Sequence, residues 1–318
     1  MRGIKVELLV NVNDKMYEIS ELVTSISYTD KLNDGCSKLE FSYIDDKLTI
    51  ENGSSVRFKY DNKNIFSGIA FSHRHTKDKE IAVTSYDQLR YCKAKDEIVV
   101  LKDTATTLTK RMCNYFGLRA GTLTDTKYVL ATGVQDGKTW LDIVYDGISE
   151  TLMNTGKKFC LRDEFGAISL RNLEDLKLNL ILGDDSLCYD FNYEKSIDDE
   201  FYNRIKIYVK GDKGKNGQFI VEDSNSSIKK YGLLQYFESL DKEVNISQVK
   251  AKAKALLGLY NQEVESLSLE CLGDTSVRAG STFYVLIEGI ELFKPLFVKS
   301  VTHKFLPNHT MSLEVAIS

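Results

Sequence analysis

Proline, histidine and tryptophan are all scarce in this chain of 318 residues, which has 2 Pro, 4 His and 1 Trp. Cysteine is sparse too: the 6 residues are scattered, and none forms a Cys-x-x-Cys pair. That spacing excludes a recognisable zinc cluster or redox motif. Because Cys92, Cys113 and Cys271 have apolar neighbours, we expect them to be buried free thiols.

Charge of one sign and long apolar runs are also missing. The formal net charge of −4 gives neither a basic footprint for nucleic acid nor a strong acidic field. No apolar run is long enough to span a bilayer, and the first residues read as a strand without the apolar core of a signal peptide. We therefore expect synthesis and folding in a cytoplasm, no nucleic-acid binding and no membrane segment.

What the sequence has in quantity is short segments of alternating apolar and polar residues. In the first ninety or so residues they include 4–10, 39–43, 56–60 and 81–86, with polar turns between them. Short strands at regular spacing are typical of an antiparallel barrel or sandwich. This part of the chain is therefore predicted to be all-β.

The middle of the chain has helical periodicity instead. One helix is predicted to be N-capped by Asp103 and ended by Gly117, and a second to cover residues 140–153. A hairpin is predicted over residues 158–171. Strand patterns then return, with one helix at residues 247–259. The layout is a β-module, an α/β insert and a second β-module.

The final segment, residues 297–317, reads as two strands joined by a tight turn at Leu306-Pro307-Asn308. Its second strand alternates strictly, with one face formed by Met311, Leu313, Val315 and Ile317. Such a pattern predicts a half-buried hairpin that is tied into a sheet.

One segment resembles a phosphate-binding loop. Residues 133–139 read Gly-Val-Gln-Asp-Gly-Lys-Thr ahead of a predicted helix. The loop geometry requires four residues between the glycines, and here there are three. The chain also lacks the repeated strand–helix units of a parallel nucleotide-binding sheet. A turn followed by a helix N-capped by Thr139 is the prediction.

The four histidines form two suggestive pairs. His73 and His75 share a strand face, but no third ligand follows at a convincing spacing and their neighbours are cationic. His303 and His309 lie on opposite arms of the terminal hairpin, where Phe305 is expected to face His309. Aromatic packing or a satisfied hydrogen bond is predicted there rather than a metal site.

No catalytic set is recognisable in the rest of the chain. Acidic pairs such as Asp184-Asp185 fall in turn-like positions, and no Gly-x-Ser-x-Gly elbow exists. We predict no catalytic, cofactor-binding or metal-binding residues. Residues 210–217 form a basic, glycine-rich hairpin tip, and Lys213 and Lys215 within it are predicted to contact a partner.

Several segments resemble a known family. Val-Thr-His-Lys-Phe at 301–305 with His-Thr-Met-Ser-Leu at 309–313 is similar to the closing hairpin of contractile-tail baseplate hub proteins. These are the hubs of PBSX-type prophages and R-type bacteriocins, related to the late control protein D family. Further similar segments are Ile65–Ile69, Thr84–Tyr91, Ser227–Gln235 and Asp163–Arg171. The resemblance covers nearly the whole chain.

The resemblance implies a β-rich α+β fold with two tube-protein-like antiparallel β-barrel modules and an α/β insert. We assign residues 1–96 to the first β-barrel module, 97–188 to the insert and 189–318 to the second β-barrel module with one helix. It also implies a non-enzymatic homotrimer whose six barrels join a sixfold tail tube to a threefold central spike. Partners would be the tail tube protein, the spike protein and other baseplate (wedge) proteins, in a particle assembled in the cytoplasm and released from the cell.

Two other functions are compatible with the sequence. Some tail-tip proteins carry a cell-wall hydrolase, so a tail-associated peptidoglycan hydrolase is the alternative, although no segment is left over for a separate catalytic module. A binder of cell-surface carbohydrate is suggested only by the 17 tyrosines.

Overall fold

The computed structural model describes residues 5–44, 48–75, 77, 79–198, 200–211, 217–240 and 245–317. The chain forms two compact units. The first unit comprises Met1–Asn192 and Leu267–Ser318, and the second comprises Tyr193–Ser266.

Antiparallel strands build the N-terminal part of the first unit. They are β1 (Val6–Val12), β2 (Lys15–Glu18), β3 (Val23–Lys31), β4 (Lys38–Ile44), β5 (Ser55–Tyr60), β6 (Lys63–His75) and β7 (Glu80–Tyr86). They pair in the order β2-β1-β5-β6-β7-β4-β3. Alternation sets which side is buried: in β4 Leu39, Phe41 and Tyr43 face the core while the residues between them are partly exposed.

Two helices and five short strands follow. They are β8 (Lys95–Val100), α1 (Ala105–Phe116), β9 (Ala120–Leu123), β10 (Gly133–Thr139), α2 (Trp140–Thr155), β11 (Phe159–Asp163) and β12 (Ile168–Asn172). Strands β11 and β12 form the predicted hairpin, and β9 adds to β12 in parallel. Both helices pack into one core with these strands, which includes Leu108, Val144 and Leu170.

The caps of α1 correct one prediction. Thr104, not Asp103, is the N-cap residue, and its hydroxyl accepts a hydrogen bond from the amide of Thr107 at 3.2 Å. Asp103 instead accepts from the Thr107 hydroxyl at 2.9 Å and pairs with Arg111. The helix ends at Gly117 as predicted, because glycine tolerates the left-handed conformation there (φ 63°).

The remaining elements are β13 (Lys177–Gly183), β14 (Cys188–Ser196), β15 (Arg204–Val209), β16 (Gln218–Asp223), α3 (Asn225–Tyr231), β17 (Gln235–Leu240), α4 (Ile246–Tyr260), β18 (Val264–Leu272), β19 (Thr282–Ile287), β20 (Leu292–Lys304) and β21 (Thr310–Ala316). Strand β20 is shared between ladders. Residues 292–297 pair with β19, and residues 300–304 pair with β3 on one side and β21 on the other.

The terminal hairpin is therefore tied into a sheet, as predicted. Met311, Leu313 and Val315 are buried. Phe305, which follows β20, enters the core of the N-terminal strands, where its ring centroid lies 4.8 Å from those of Phe58 and Tyr60. One continuous sheet thus includes strands from both ends of the chain.

The second unit contains a three-stranded sheet of order β16-β15-β17. Strands β15 and β16 form the predicted hairpin, whereas β15 and β17 are parallel. Helix α4, close to its predicted position, buries Val249 and Ala253 against Ile205 and Ile207 of β15. Helix α3 was not predicted.

The β-rich character expected from the sequence is confirmed, since most of the described strands pair antiparallel and helices are few. Among the residues that the structure describes, none of the helices combines the length and the apolar character that a membrane-spanning helix requires.

Candidate functional site

A buried ion pair joins the last part of the chain to the first strands. Asp30 of β3 accepts from Nε of Arg278 at 2.8 Å. Nη1 of Arg278 also donates to the main-chain oxygen of Asp163 at 2.9 Å. Burial acts to lower the pKa of Arg278, but the adjacent Asp30 carboxylate raises it above its ordinary value. The guanidinium therefore stays charged and holds three separate stretches of the first unit together.

Two buried carboxyl groups lie beside this ion pair. Asp87 accepts from the amide of Ser37 at 2.8 Å and from the amide of Leu89 at 2.9 Å, and Asp163 accepts from the amide of Gln88 at 3.3 Å. Burial and the neighbouring Asp163 raise the pKa of Asp87 to about 7. Burial also raises the pKa of Asp163.

This pair shares with a catalytic dyad only the proximity of two carboxyl groups. The exposed fractions of Asp87 and Asp163 are 2% and 4%. Their oxygens accept hydrogen bonds from main-chain amides, and almost none of either side chain is exposed for a substrate to contact. The pair is therefore a structural junction between the N-terminal strands and the hairpin β11–β12.

The histidines of the terminal hairpin meet, although His303 is opposite Met311 in the ladder. Nδ1 of His303 lies 3.0 Å from Nε2 of His309, and Nε2 of His303 lies 2.9 Å from the main-chain oxygen of Val277. Phe305 stacks on His309 with centroids 4.5 Å apart, which confirms the expected aromatic packing. Burial lowers the pKa of both rings, that of His309 to about 4.

The other candidate sites hold no ligand-binding arrangement. His73 and His75 are exposed at the end of β6, and nowhere in the described ranges do three His, Cys, Asp or Glu side chains form a group that could hold a metal. Residues 133–139 form strand β10, with a bulge rather than the predicted turn, and pair with β8. Lys138 is 2.7 Å from Asp146, and Thr139 caps α2 as predicted.

An exposed apolar face on the sheet of the first unit is the strongest candidate for contact with a partner. Tyr284 of β19 lies opposite Ile181 of β13, and its ring is 5.7 Å from that of Phe293 of β20. The exposed fractions are 47%, 54% and 64% respectively. We call these three residues the β19 face. Contiguous exposed apolar side chains of this kind commonly mark interaction sites.

Strand β13 also has an open edge. Among the strands that the structure describes, it hydrogen-bonds to β19 alone. An open edge presents unpaired main-chain donors and acceptors to another chain. The predicted contact residues Lys213 and Lys215 lie outside the described residues, so that prediction stays a prediction.

Comparison with protein families gives a match over residues 26–316 to the YQBQ-like family. The chain belongs to the YQBQ-like family. A curated relative is the phage-like element PBSX protein XkdQ of Bacillus subtilis, 25% identical over 84% of this chain and 82% of that protein.

Solved structures share the fold of this YQBQ-like chain. A prophage MuSo2 tail protein from Shewanella oneidensis matches with a TM-score of 0.70 and 14% identity, over 98% of both chains. A type VI secretion component from E. coli, described as similar to the bacteriophage T4 tail proteins gp27 and gp5, matches with a TM-score of 0.55 and 10% identity. That match covers 77% of the E. coli protein and 100% of this chain. The resemblance to proteins of PBSX-type phage elements is confirmed, and the fold is shared with phage tail proteins.

Sequence reasoning missed the groups that hold the first unit together. Asp30 and Arg278 are 248 residues apart, and no local pattern relates them. The β19 face was also missed, although Tyr284 and Phe293 stand at outward positions of alternating strands and could have been found from that pattern.

Proposed function

We propose that this chain is a structural subunit of a phage-type contractile tail, with the finer role of baseplate hub. The observation that carries the proposal is membership of a family with a relative from the phage-like element PBSX, together with a tail-protein fold over 98% of the chain. In this role the chain forms a homotrimer that joins the sixfold tail tube to the threefold central spike. It also contacts other baseplate proteins.

The trimer contact is proposed at the β19 face. Obligate interfaces between identical subunits are more apolar than other contacts, and aromatic residues are enriched at their centres. Tyr284 and Phe293 supply such residues beside the open edge of β13. A ring needs two different surfaces on each subunit, so this face would meet another part of the neighbouring copy.

The two-barrel organisation belongs to the same proposal. Residues 1–96 and 189–318 would provide two tube-like modules per subunit, and three subunits would then present six. The side chains that line the tube would come from both modules. The function is non-enzymatic, and the buried position of Asp87 and Asp163 supports this, because almost none of either carboxyl group is exposed to a substrate.

Mass measurement in solution tests the trimer. Light scattering across a range of concentrations should give three times the subunit mass for the parent chain. The double variant Tyr284→Ser, Phe293→Ser should weaken association at least about 30-fold, since two central aromatics contribute about 2 kcal/mol or more. Met153→Ser, at a side chain 79% exposed on α2, is the control and should leave association unchanged.

A monomer at every concentration would contradict self-assembly, and a trimer that survives the double variant would contradict the assigned face. Release of soluble fragments from purified peptidoglycan by the chain would overturn the non-enzymatic function. The proposed contact of Lys213 and Lys215 is tested by deleting residues 212–216, and particles that assemble normally after the deletion would refute it.

A further inference from the structure

Cys188 and Cys271 lie opposite each other on neighbouring strands of the first unit. Strands β14 and β18 are adjacent, and the amide of Leu272 donates to the main-chain oxygen of Leu187 at 2.8 Å. The next residues along the two strands, Tyr189 and Glu270, are also close: burial and the nearby carboxylate of Glu270 raise the pKa of Tyr189. The residue numbers decrease along β18 as they increase along β14, as they do in an antiparallel pair of strands.

This register makes the two cysteines a non-hydrogen-bonded pair. The Leu272–Leu187 hydrogen bond flanks the pair rather than joining it, and Cα atoms of such pairs lie about 4.5 Å apart. Disulfides span Cα separations of about 4.4–6.8 Å. Oxidation therefore requires no rearrangement of the two strands.

The two thiols are close enough to influence each other's ionisation. Their interaction lowers the pKa of Cys188 and raises that of Cys271. Cys188 is partly exposed and Cys271 is buried. In contrast, burial raises the pKa of the other four thiols, Cys36, Cys92, Cys113 and Cys160. Cys188 thus has the accessibility and thiolate character of an attacking cysteine, with Cys271 in place to resolve the product.

We propose that Cys188 and Cys271 form a redox-sensitive disulfide, with a low-molecular-weight disulfide such as oxidised glutathione as the oxidant. The Cys188 thiolate attacks one sulfur of the small disulfide and releases one small thiolate, which takes up a proton. The Cys271 thiol then gives up its proton and attacks Sγ of Cys188, which releases the second small thiol. Two protein thiols are oxidised, and one small disulfide is reduced to two thiols.

The bond has a specific topological effect. The chain leaves the first unit within β14 and returns to it within β18, so the disulfide closes a covalent ring that contains all of Tyr193–Ser266. If the tail role holds, a point that rests on the proposed function, the ring would close when the particle passes from a reducing cytoplasm to an oxidising medium. The chemistry itself is independent of that role.

The test uses the purified full chain incubated with oxidised glutathione. The parent should lose two of its 6 free thiols, counted after denaturation, and peptide mapping should place the bond between Cys188 and Cys271. Dithiothreitol should restore all 6. Cys271→Ala should instead accumulate one glutathione on Cys188, because the resolving thiol is gone, whereas Cys188→Ser should keep its remaining thiols free.

The double variant Cys92→Ser, Cys113→Ser is the matched control, since these two buried cysteines also lie near each other. It should still form the Cys188–Cys271 bond. A parent that retains all 6 thiols, a bond mapped to Cys92 and Cys113, or a bond between two chains would each overturn the proposal. All of these readouts are independent of tail assembly, so failure here is distinguishable from failure of the proposed function.

Discussion

Replacing Asp87 with asparagine should change how the stability of the first unit depends on pH. The carboxyl group is buried against Asp163, and its pKa is raised from an ordinary value of 3.8 to about 7. Between these values the folded chain holds a proton that the unfolded chain has released. A raised carboxyl pKa therefore makes the free energy of unfolding fall as the pH rises toward and through 7.

The size of this effect follows from the raised pKa. With a folded pKa of about 7 and an ionised unfolded state, the free energy of unfolding should fall by about 1.4 kcal/mol between pH 6 and pH 8. The histidines act in the opposite direction, because burial lowers the pKa of His303 and His309 and the unfolded chain takes up protons first. Their contribution is common to parent and variant, so it cancels in the difference between the two proteins.

The assay is urea unfolding at pH 6 and pH 8, followed by the fluorescence of Trp140, the single tryptophan, which is buried in the first unit. The stability of Asp87→Asn relative to the parent should rise by about 1.4 kcal/mol from pH 6 to pH 8. A constant offset between them is expected at both values, since an amide cannot accept every hydrogen bond that the carboxylate accepts.

Asp34→Asn, at a side chain 74% exposed, is the control for removing one aspartate charge. If the difference between Asp87→Asn and the parent is the same at pH 6 and pH 8, the buried carboxyl does not titrate in this range. The reasoning about the junction would then be refuted.

Three further outcomes are expected. Gly183→Ala should destabilise the first unit by about 3 kcal/mol or more in a urea titration. The reason is that φ of Gly183 is +131° and an added Cβ would lie 1.7 Å from a carbonyl oxygen of β19. The control Gly289→Ala, with open space around it, should change stability by less than about 1 kcal/mol. Phe305→Ala should cost about 3–5 kcal/mol because the side chain is 1% exposed, whereas Met153→Ala at 79% exposure should cost little; equal losses would contradict the assignment of the core. Burial lowers the pKa of His309 to about 4, so stability should fall as the pH drops from 6.5 to 4, and His309→Gln should remove about 2 kcal/mol of that fall in acid titrations.

Local structure could be predicted well from the sequence, because strands and helices each produce a repeating pattern of apolar residues over a short stretch of chain. Alternation located β4 and β21, and periodicity with a terminal glycine located α1. The N-cap residue of α1 was harder to predict, because Asp103 and Thr104 are both good N-cap residues. Only the ion pair of Asp103 with Arg111, a tertiary contact, separates their roles.

Long-range organisation could not be predicted from these patterns. The parallel pairing of β12 with β9, and of β15 with β17, depends on which strands meet, and alternation within a strand does not encode its partner. Helix α3 escaped detection because its seven residues bury no side chain and so show no apolar period. The cysteine pair was missed for a related reason, since a Cys-x-x-Cys search finds only neighbours in sequence.

The position of β20 also has a kinetic consequence. Thr29 of β3 and Thr302 of β20 are hydrogen-bonded at 3.1 Å although 273 residues separate them. The core of the N-terminal strands is therefore incomplete until Phe305 has been synthesised, which happens long after β1 to β7 have been made. Such distant pairing slows folding and leaves the edge of β3 open during synthesis, when it is exposed to aggregation or to chaperones.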